Sequence, residues 1–281
     1  MPSREGLKDI VTQIRRDIVR MVHANHSGHP GGSLGCTEFL TALYFEIMNN
    51  DNKFNMDGIG EDIFFLSNGH ISPLLYAVLA RKGYFNISEL ATFRKINSRL
   101  QGHPTPHEGL EGIRMASGSL GQGLSTAIGA AITKKLNNDN STIYTLLGDG
   151  ELQEGQVWEA FMYAAGKNID NIIVTIDYNK KQIDGSTDEV MPLGNLTSKL
   201  EAFDWIVFEE LEGNNLTKII ERLYEAKEHT GRSKPIAIIL HTEMGNGVNY
   251  MMGTHKWHGS APNNEQLAQA LLQNHETLGD Y

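Results

Sequence analysis

Apolar residues at Leu7, Ile10, Val11, Ile14, Ile18, Met21 and Val22 recur with the spacing of one helical face. This predicts an amphipathic helix over residues 5–25. Residues 38–48 read as a second helix and residues 63–66 as a short buried strand. Residues 73–82 look helical, with Ser72 as the expected cap. From 97 to 120 the chain is rich in Gly, Pro, His and Ser without a period. This predicts a loop, and loops of such length in compact domains are usually functional. A small-residue helix follows over 122–136. Strands are then predicted near 142–147, 172–176, 205–208 and 236–241, and helices near 152–165, 216–228 and 264–273. Strands that are apolar throughout and separated by helices indicate an α/β three-layer sandwich: a mostly parallel central sheet with helices on both faces. In such sheets ligands sit at the carboxyl ends of the strands.

Two of these strands end in residues with hard oxygens. The run at 142–147 leads into Gly148-Asp149-Gly150, and the run at 172–176 leads into Asp177-Tyr178-Asn179. Asp149 and Asn179 suit Mg²⁺, Ca²⁺ or Mn²⁺. Glycines on both sides of Asp149 allow a ligand to approach the backbone. A helix opening at about Leu152 would turn its positive end toward the same place, which favours phosphate. An Asp between glycines is, taken alone, a common turn former. The second oxygen ligand at a matching strand end makes the pair a candidate cation and diphosphate site. Glu154 falls in the first helical turn, where a carboxylate stabilises the helix dipole. Glu151 and Glu159 read as ordinary helix-surface charges.

A chain of 281 residues can bury one large core. No linker or composition break divides it, so residues 1–281 are expected to form a single domain. The net charge of −10 argues against nucleic acid or an anionic membrane as the main partner. It also means that a bound diphosphate must be neutralised locally, by a cation, a helix end and histidines rather than by a lysine cluster. Cys36 is the single cysteine, so no intrachain disulfide can form, and the expected compartment is the reducing cytoplasm. No run of 18 apolar residues predicts a membrane span, and the N-terminus lacks the apolar centre of a signal peptide.

The Gly-Asp-Gly…Asn pattern resembles the thiamine diphosphate motif, and further segments narrow the resemblance to the transketolase family. Ser27-Gly28-His29-Pro30-Gly31, Leu66-Ser67-Asn68-Gly69-His70 and Gln101-Gly102-His103-Pro104 resemble its first three histidine motifs. Ser117 to Gly123 resembles its glycine-rich turn, and Lys256-Trp257-His258-Gly259 its late histidine motif. The motifs keep the family's order from residue 27 to 259, so the resemblance covers nearly the whole chain.

The resemblance implies a metal site made of Asp149, Asn179 and the backbone carbonyl of Lys181, a position where the family commonly carries an apolar residue. It implies that His70 and His258 lie near the diphosphate. His29, His103 and again His258 would face the reacting carbons of the sugar donor. Gly118, Ser119 and Leu120 would lie against the cofactor with Gly150, and Ile183 would pack on the thiazolium ring, although spacing alone makes it core. Glu154, taken with the cofactor-binding residues, becomes a subunit-interface carboxylate close to the other chain's cofactor-activating glutamate, which stands beside its dipole role. The remaining histidines at 23, 26, 107, 229, 241, 255 and 275 are read as structural or surface residues.

By the same resemblance, complete transketolases carry a pyrimidine-binding domain and a C-terminal domain that are not encoded here after Gly259. The chain is therefore expected to be the N-terminal subunit of a split transketolase. It would act with a partner carrying the other two domains, in an α₂β₂ assembly, on sugar or sugar-phosphate substrates. Three other readings compete: a pyruvate-using synthase, a 2-oxoacid dehydrogenase E1 subunit, and a non-catalytic nucleotide-binding or regulatory subunit. The order Gly-His-Pro-Gly, the run of histidine motifs and the loop-like residues before Gly118 speak against them in turn.

Overall fold

In the computed structural model, which describes residues 2–281, five strands form one sheet in the order β1-β2-β3-β7-β6. They are β1 (Ile63–Leu66), β2 (Ile143–Gly148), β3 (Ile172–Asp177), β6 (Ile206–Glu210) and β7 (Ile236–Leu240), with a separate hairpin of β4 (Lys181–Gln182) and β5 (Gly185–Ser186). Every pairing in the five-stranded sheet is parallel. Parallel neighbours need crossover connections, and these carry the helices. In chain order the helices are α1 (Arg4–Ala24), α2 (Pro30–Gly35), α3 (Thr37–Ala42), α4 (Ser72–Lys82), α5 (Gly123–Leu136), α6 (Gly155–Gly166), α7 (Thr187–Val190), α8 (Leu196–Ala202), α9 (Leu216–Glu228) and α10 (Asn264–Gln273).

The alternation of side chains along each strand divides the core in two. Phe64 and Leu66, Tyr144 and Leu146, Ile173, and Ile236 and Ile238 pack with α1, α3, α4 and α9 on one face. Ile63 and Phe65, Ile143 and Leu147, Ile172, Val174 and Ile176, and Ala237 and Ile239 pack with α5, α6 and α8 on the other. This is the three-layer sandwich expected from the uniformly apolar strands. Among the described residues, no helix is long and apolar enough to cross a membrane.

Three local expectations are corrected. Ser72 does not cap α4 but is its first residue, and its hydroxyl donates to the Gly102 carbonyl at 2.8 Å. The helix expected from Leu152 starts at Gly155, after a 3₁₀ turn over Gly150–Gln153. The helix expected over 38–48 is α3 followed by a π-turn over Leu43–Ile47. Helix α2 was not foreseen, because Pro-Gly-Gly-Ser-Leu-Gly has poor intrinsic helix propensity. Its glycines make the helix possible through packing instead. A Cβ on Gly31 would lie 2.7 Å from Met244 Cγ and 2.8 Å from the Trp257 carbonyl, and one on Gly32 would lie 2.9 Å from Ile71 Cγ2. The C-terminal residues close back on α1. Arg16 forms an ion pair with Asp280 at 2.6 Å, and Gln13 accepts from the backbone amides of Thr277 and Leu278.

Candidate active site

The strand tips of β1, β2 and β3 open into one cavity of about 290 Å³. At the end of β2 the Asp149 carboxylate is buried. One oxygen accepts from the Gly150 amide at 2.7 Å and the other from the Lys180 amide. At the end of β3 the Asn179 carbonyl oxygen accepts from the Lys181 amide at 2.9 Å, while its nitrogen donates to Asp177 at 2.9 Å. Lys180 between them adopts a left-handed φ of 61°, which turns the chain back under Asp149. Asp149, Asn179 and Lys181 all line the cavity, so two strand tips 30 residues apart in sequence do meet. Burial first, and the charge of Asp177 second, push the Asp149 carboxyl up to about 7. Asp177 is itself buried, accepts from the Thr242 hydroxyl, and is raised by burial. Two buried carboxylates that form no ion pair with an ammonium or guanidinium among the described residues are what a divalent cation would relieve. The two lysines of the turn engage other groups: the Lys181 ammonium pairs with Glu243 at 3.1 Å, and that of Lys180 lies 5.3 Å from the centre of the Tyr178 ring.

Three imidazoles cover the cavity. His29 occupies the N-cap position of α2, and His70 sits in the 3₁₀ turn that follows β1. His258 ends the turn over His255–Trp257. Their ring centroids lie 5.1 Å (His29–His70), 5.7 Å (His29–His258) and 5.1 Å (His70–His258) apart. Burial is the largest cause that lowers the pKa of each, joined by His258 and Arg94 at His29, by His258 and His29 at His70, and by His255 at His258, and His29 falls to about 4. The three are therefore neutral near pH 7. Each can donate one hydrogen bond and accept another without carrying charge. His29 Nδ1 and Asn68 Oδ1 are buried and have no partner among the described residues, which leaves both available to a ligand.

The sign of the His29 shift gives a stability prediction. The unfolded chain takes up a proton at residue 29 near the usual imidazole pKa, whereas the folded chain waits until about pH 4. Stability from this group is thus complete above about 6.5 and is lost as pH falls toward 4. Relative to a His29→Asn variant, the wild type should lose stability on acidification by a slope approaching about 1.4 kcal/mol per pH unit. Urea melts of both proteins at pH 7.5, 6 and 5 measure the slope, and parallel pH dependences would remove the assignment.

His103 is exposed and does not line the cavity. It packs over Gly118, whose φ of 124° and position 2.8 Å from His103 Cγ (for an added Cβ) admit no other residue. Gly118, Leu120 and Gly150 line the cavity, whereas Ser119 is exposed beside them. Ile183 lines it too but is 62% exposed, so it is not the core residue its spacing suggested. It presents free apolar surface at the cavity rim. Glu154 is exposed outside the cavity, at the N-cap of α6 rather than within its first turn. An added Cβ on Gly121 would lie 2.9 Å from its Cβ. Glu151 reverses the expectation of a surface charge. It is 1% exposed, accepts from the Ser67 hydroxyl and from the amides of Gly121 (2.8 Å) and Gly148 (3.2 Å), and so ties β1, β2 and the glycine-rich turn together. The sequence carries no signal for this role, since Glu-Leu-Gln-Glu reads as a polar helix start. Among the described residues, none of the seven histidines read as structural lines the cavity.

The cavity thus offers a hard-oxygen pair on a buried anionic floor, glycines that permit close backbone approach, neutral imidazoles above, and an apolar lip. Such a donor set fits a diphosphate with its cation at one end and an apolar ring at the other. Residues 7–275 match the family model described as transketolase, thiamine diphosphate binding domain. The chain is 42% identical over 246 residues to a 6-deoxy-6-sulfo-D-fructose transketolase subunit of Clostridium sp. (strain MSTE9), covering 88% of each chain. It is 37% identical over 270 residues to an apulose-4-phosphate transketolase subunit of Phocaeicola vulgatus, covering 94% of this chain and 92% of the relative. The solved transketolase of Campylobacter jejuni superposes with a TM-score of 0.89 at 32% identity, over 97% of this chain and 43% of the longer one. The chain therefore spans most of the length of the subunit relatives and about two-fifths of the full transketolase. On the family model and these relatives together, the chain belongs to the transketolase family and carries its N-terminal, thiamine diphosphate-binding domain.

Proposed function

We propose that the chain is the diphosphate-binding subunit of a two-chain transketolase, which moves a two-carbon ketol unit from a ketose donor to an aldose acceptor. The observation that carries the reading is the meeting of Asp149 and Asn179 beneath the three imidazoles. The Asp149 carboxylate, the Asn179 carbonyl oxygen and the Lys181 backbone carbonyl would hold Mg²⁺, with Ca²⁺ or Mn²⁺ as substitutes. His70 and His258 would donate to the diphosphate, and Ile183 and Leu120 would bound the ring. When bound, thiamine diphosphate supplies the carbanion that breaks and makes the carbon–carbon bond. His29, His103 and His258 bind the donor hydroxyls and exchange protons with them, a role that neutral imidazoles can fill near pH 7.

Residues 1–281 act as one diphosphate-binding domain. The partner would bring the pyrimidine-binding and C-terminal domains, in an α₂β₂ assembly. The high coverage of relatives named as subunits supports this over a single-chain enzyme. Those relatives are named for an anionic or phosphorylated sugar, which favours a ketose with a negatively charged far end, its charge read by the partner. A single buried cysteine is in keeping with the cytoplasm. The test is ketol transfer with thiamine diphosphate and Mg²⁺, assayed for the chain alone and after mixing with a chain carrying the other two domains. Transfer by the mixture and none by the chain alone is expected. Full activity of the chain alone would sink the two-chain reading.

A further inference from the structure

Arg94 has no place in the chemistry derived so far, yet three features set it apart. Its backbone is in the left-handed region at φ 57°, an uncommon conformation for a long side chain and one that persists only when the surroundings enforce it. Its half-buried guanidinium has no carboxylate partner among the described residues. Burial lowers its pKa, and only the Tyr76 phenol acts in the other direction. Its Nε is buried without a hydrogen-bond acceptor. An unpaired, partly buried cation held by a strained backbone is an expensive arrangement for a merely structural arginine.

The guanidinium joins two of the histidine segments. Nη1 donates to the Ser27 hydroxyl at 2.7 Å, two residues before His29. On the other side it lies against Gly102, one residue before His103. A Cβ there would come within 2.9 Å of both Cζ and Nε, so a larger residue would displace the guanidinium from this position. Phe93 adds a second grip on the first segment, since a Cβ on Gly28 would lie 3.4 Å from its ring. The Arg94 amide donates to the Leu100 carbonyl at 2.8 Å, which closes the loop leading to His103.

We propose that Arg94 is a positioning residue for the donor-facing imidazoles: its guanidinium clamps Ser27 to the Gly102 segment and so fixes the gap between His29 and His103. The inference rests on reading these two imidazoles as donor-facing. The charge has a second effect. It disfavours protonation of both rings, together with burial, which is the larger cause. The other groups that act on His29 are His258 and His103; on His103 Arg94 acts alone, and no carboxylate opposes it at either ring.

Arg94→Lys keeps the charge and loses the planar fork, whereas Arg94→Met loses both. In the assembled enzyme both variants should lower kcat/KM for the ketose donor about 100-fold, the scale expected for a misplaced catalytic group. Thiamine diphosphate affinity, read by calorimetry, should be unchanged. Ser27→Ala removes only the acceptor and should give a smaller loss of the same kind. In the full-length chain, NMR titration of the imidazoles should show the midpoints of His29 and His103 rising by about half a pH unit in Arg94→Met but not in Arg94→Lys. This readout needs no turnover. If ketol transfer fails altogether, the proposed function falls while the titration still decides the role of Arg94. A folded Arg94→Met chain with unmoved midpoints, or Ser27→Ala and Arg94→Lys enzymes with wild-type kcat/KM, would overturn the clamp.

Discussion

Replacing Asp149 with asparagine is expected to weaken Mg²⁺-dependent binding of thiamine diphosphate to the assembled enzyme by about two orders of magnitude, the scale on which ligand charge tunes divalent sites. Two effects act in the same direction. The variant removes the negative charge that a cation would meet on the cavity floor. It also spoils the local hydrogen bonds, because both carboxylate oxygens accept backbone amides, from Gly150 and Lys180. Asparagine can satisfy only one of these amides and must turn its own NH₂ toward the other. The Lys180 amide belongs to the turn that presents Asn179 and Lys181, so the whole proposed ligand set shifts with it. A loss of about 100-fold corresponds to about 2.7 kcal/mol. Titration calorimetry of thiamine diphosphate at saturating Mg²⁺, on wild type and variant, measures it. Equal affinities would mean that the cation is held elsewhere, and the cofactor site would have to be moved.

The part of this arrangement that could be read from the chain is the part written in local patterns. β1 and β7 are apolar throughout, and β2 and β3 are interrupted only by Thr145 and Thr175 before their Gly148 and Asp177 ends, so their burial and their parallel pairing follow from composition. Asp149 and Asn179 are legible because each stands within two residues of the end of such a strand. What escaped was set by packing between distant segments. α2 forms because Met244, Trp257 and Ile71 crowd its glycines, and nothing local to Pro30–Gly35 announces this. Glu151 looks like a surface charge until Ser67 and Gly121, 84 and 30 residues away, are folded onto it. Ile183 errs in the opposite direction. Its apolar character suggested core, but a two-residue hairpin holds it out at the cavity rim. The convergence of His29, His70 and His258 came from family resemblance and not from spacing, since three residues drawn from different loops share no period.

His258→Ala in the assembled enzyme should lower kcat by about 10²- to 10⁴-fold, the range for loss of a positioned proton-transfer group. The three imidazole rings crowd one another. They sit within about 6 Å of one another, and burial opposes protonation of each, joined by His258 at both His29 and His70 and by His255 at His258. Neutral rings can hold a hydroxyl in one geometry and pass its proton without first shedding their own. His258 lies 5.7 Å from His29 on the proposed donor side and 5.1 Å from His70 on the proposed diphosphate side, and it is the ring proposed to serve both. Its loss should therefore reach both functions, but unequally. Anchoring keeps the cation, the glycine-rich turn and His70, so cofactor affinity should fall by about tenfold or less, the worth of one hydrogen bond of about 1 kcal/mol. Proton exchange on the donor has no such redundancy, because an alanine leaves a gap that water fills without fixed orientation. His258→Gln restores an N–H donor but cannot take up a proton at neutral pH. It should recover the affinity and leave kcat low. A His258→Ala enzyme that turns over at the wild-type rate would remove this residue from the chemistry, and a His258→Gln enzyme that regains full kcat would reduce it to a hydrogen-bond donor.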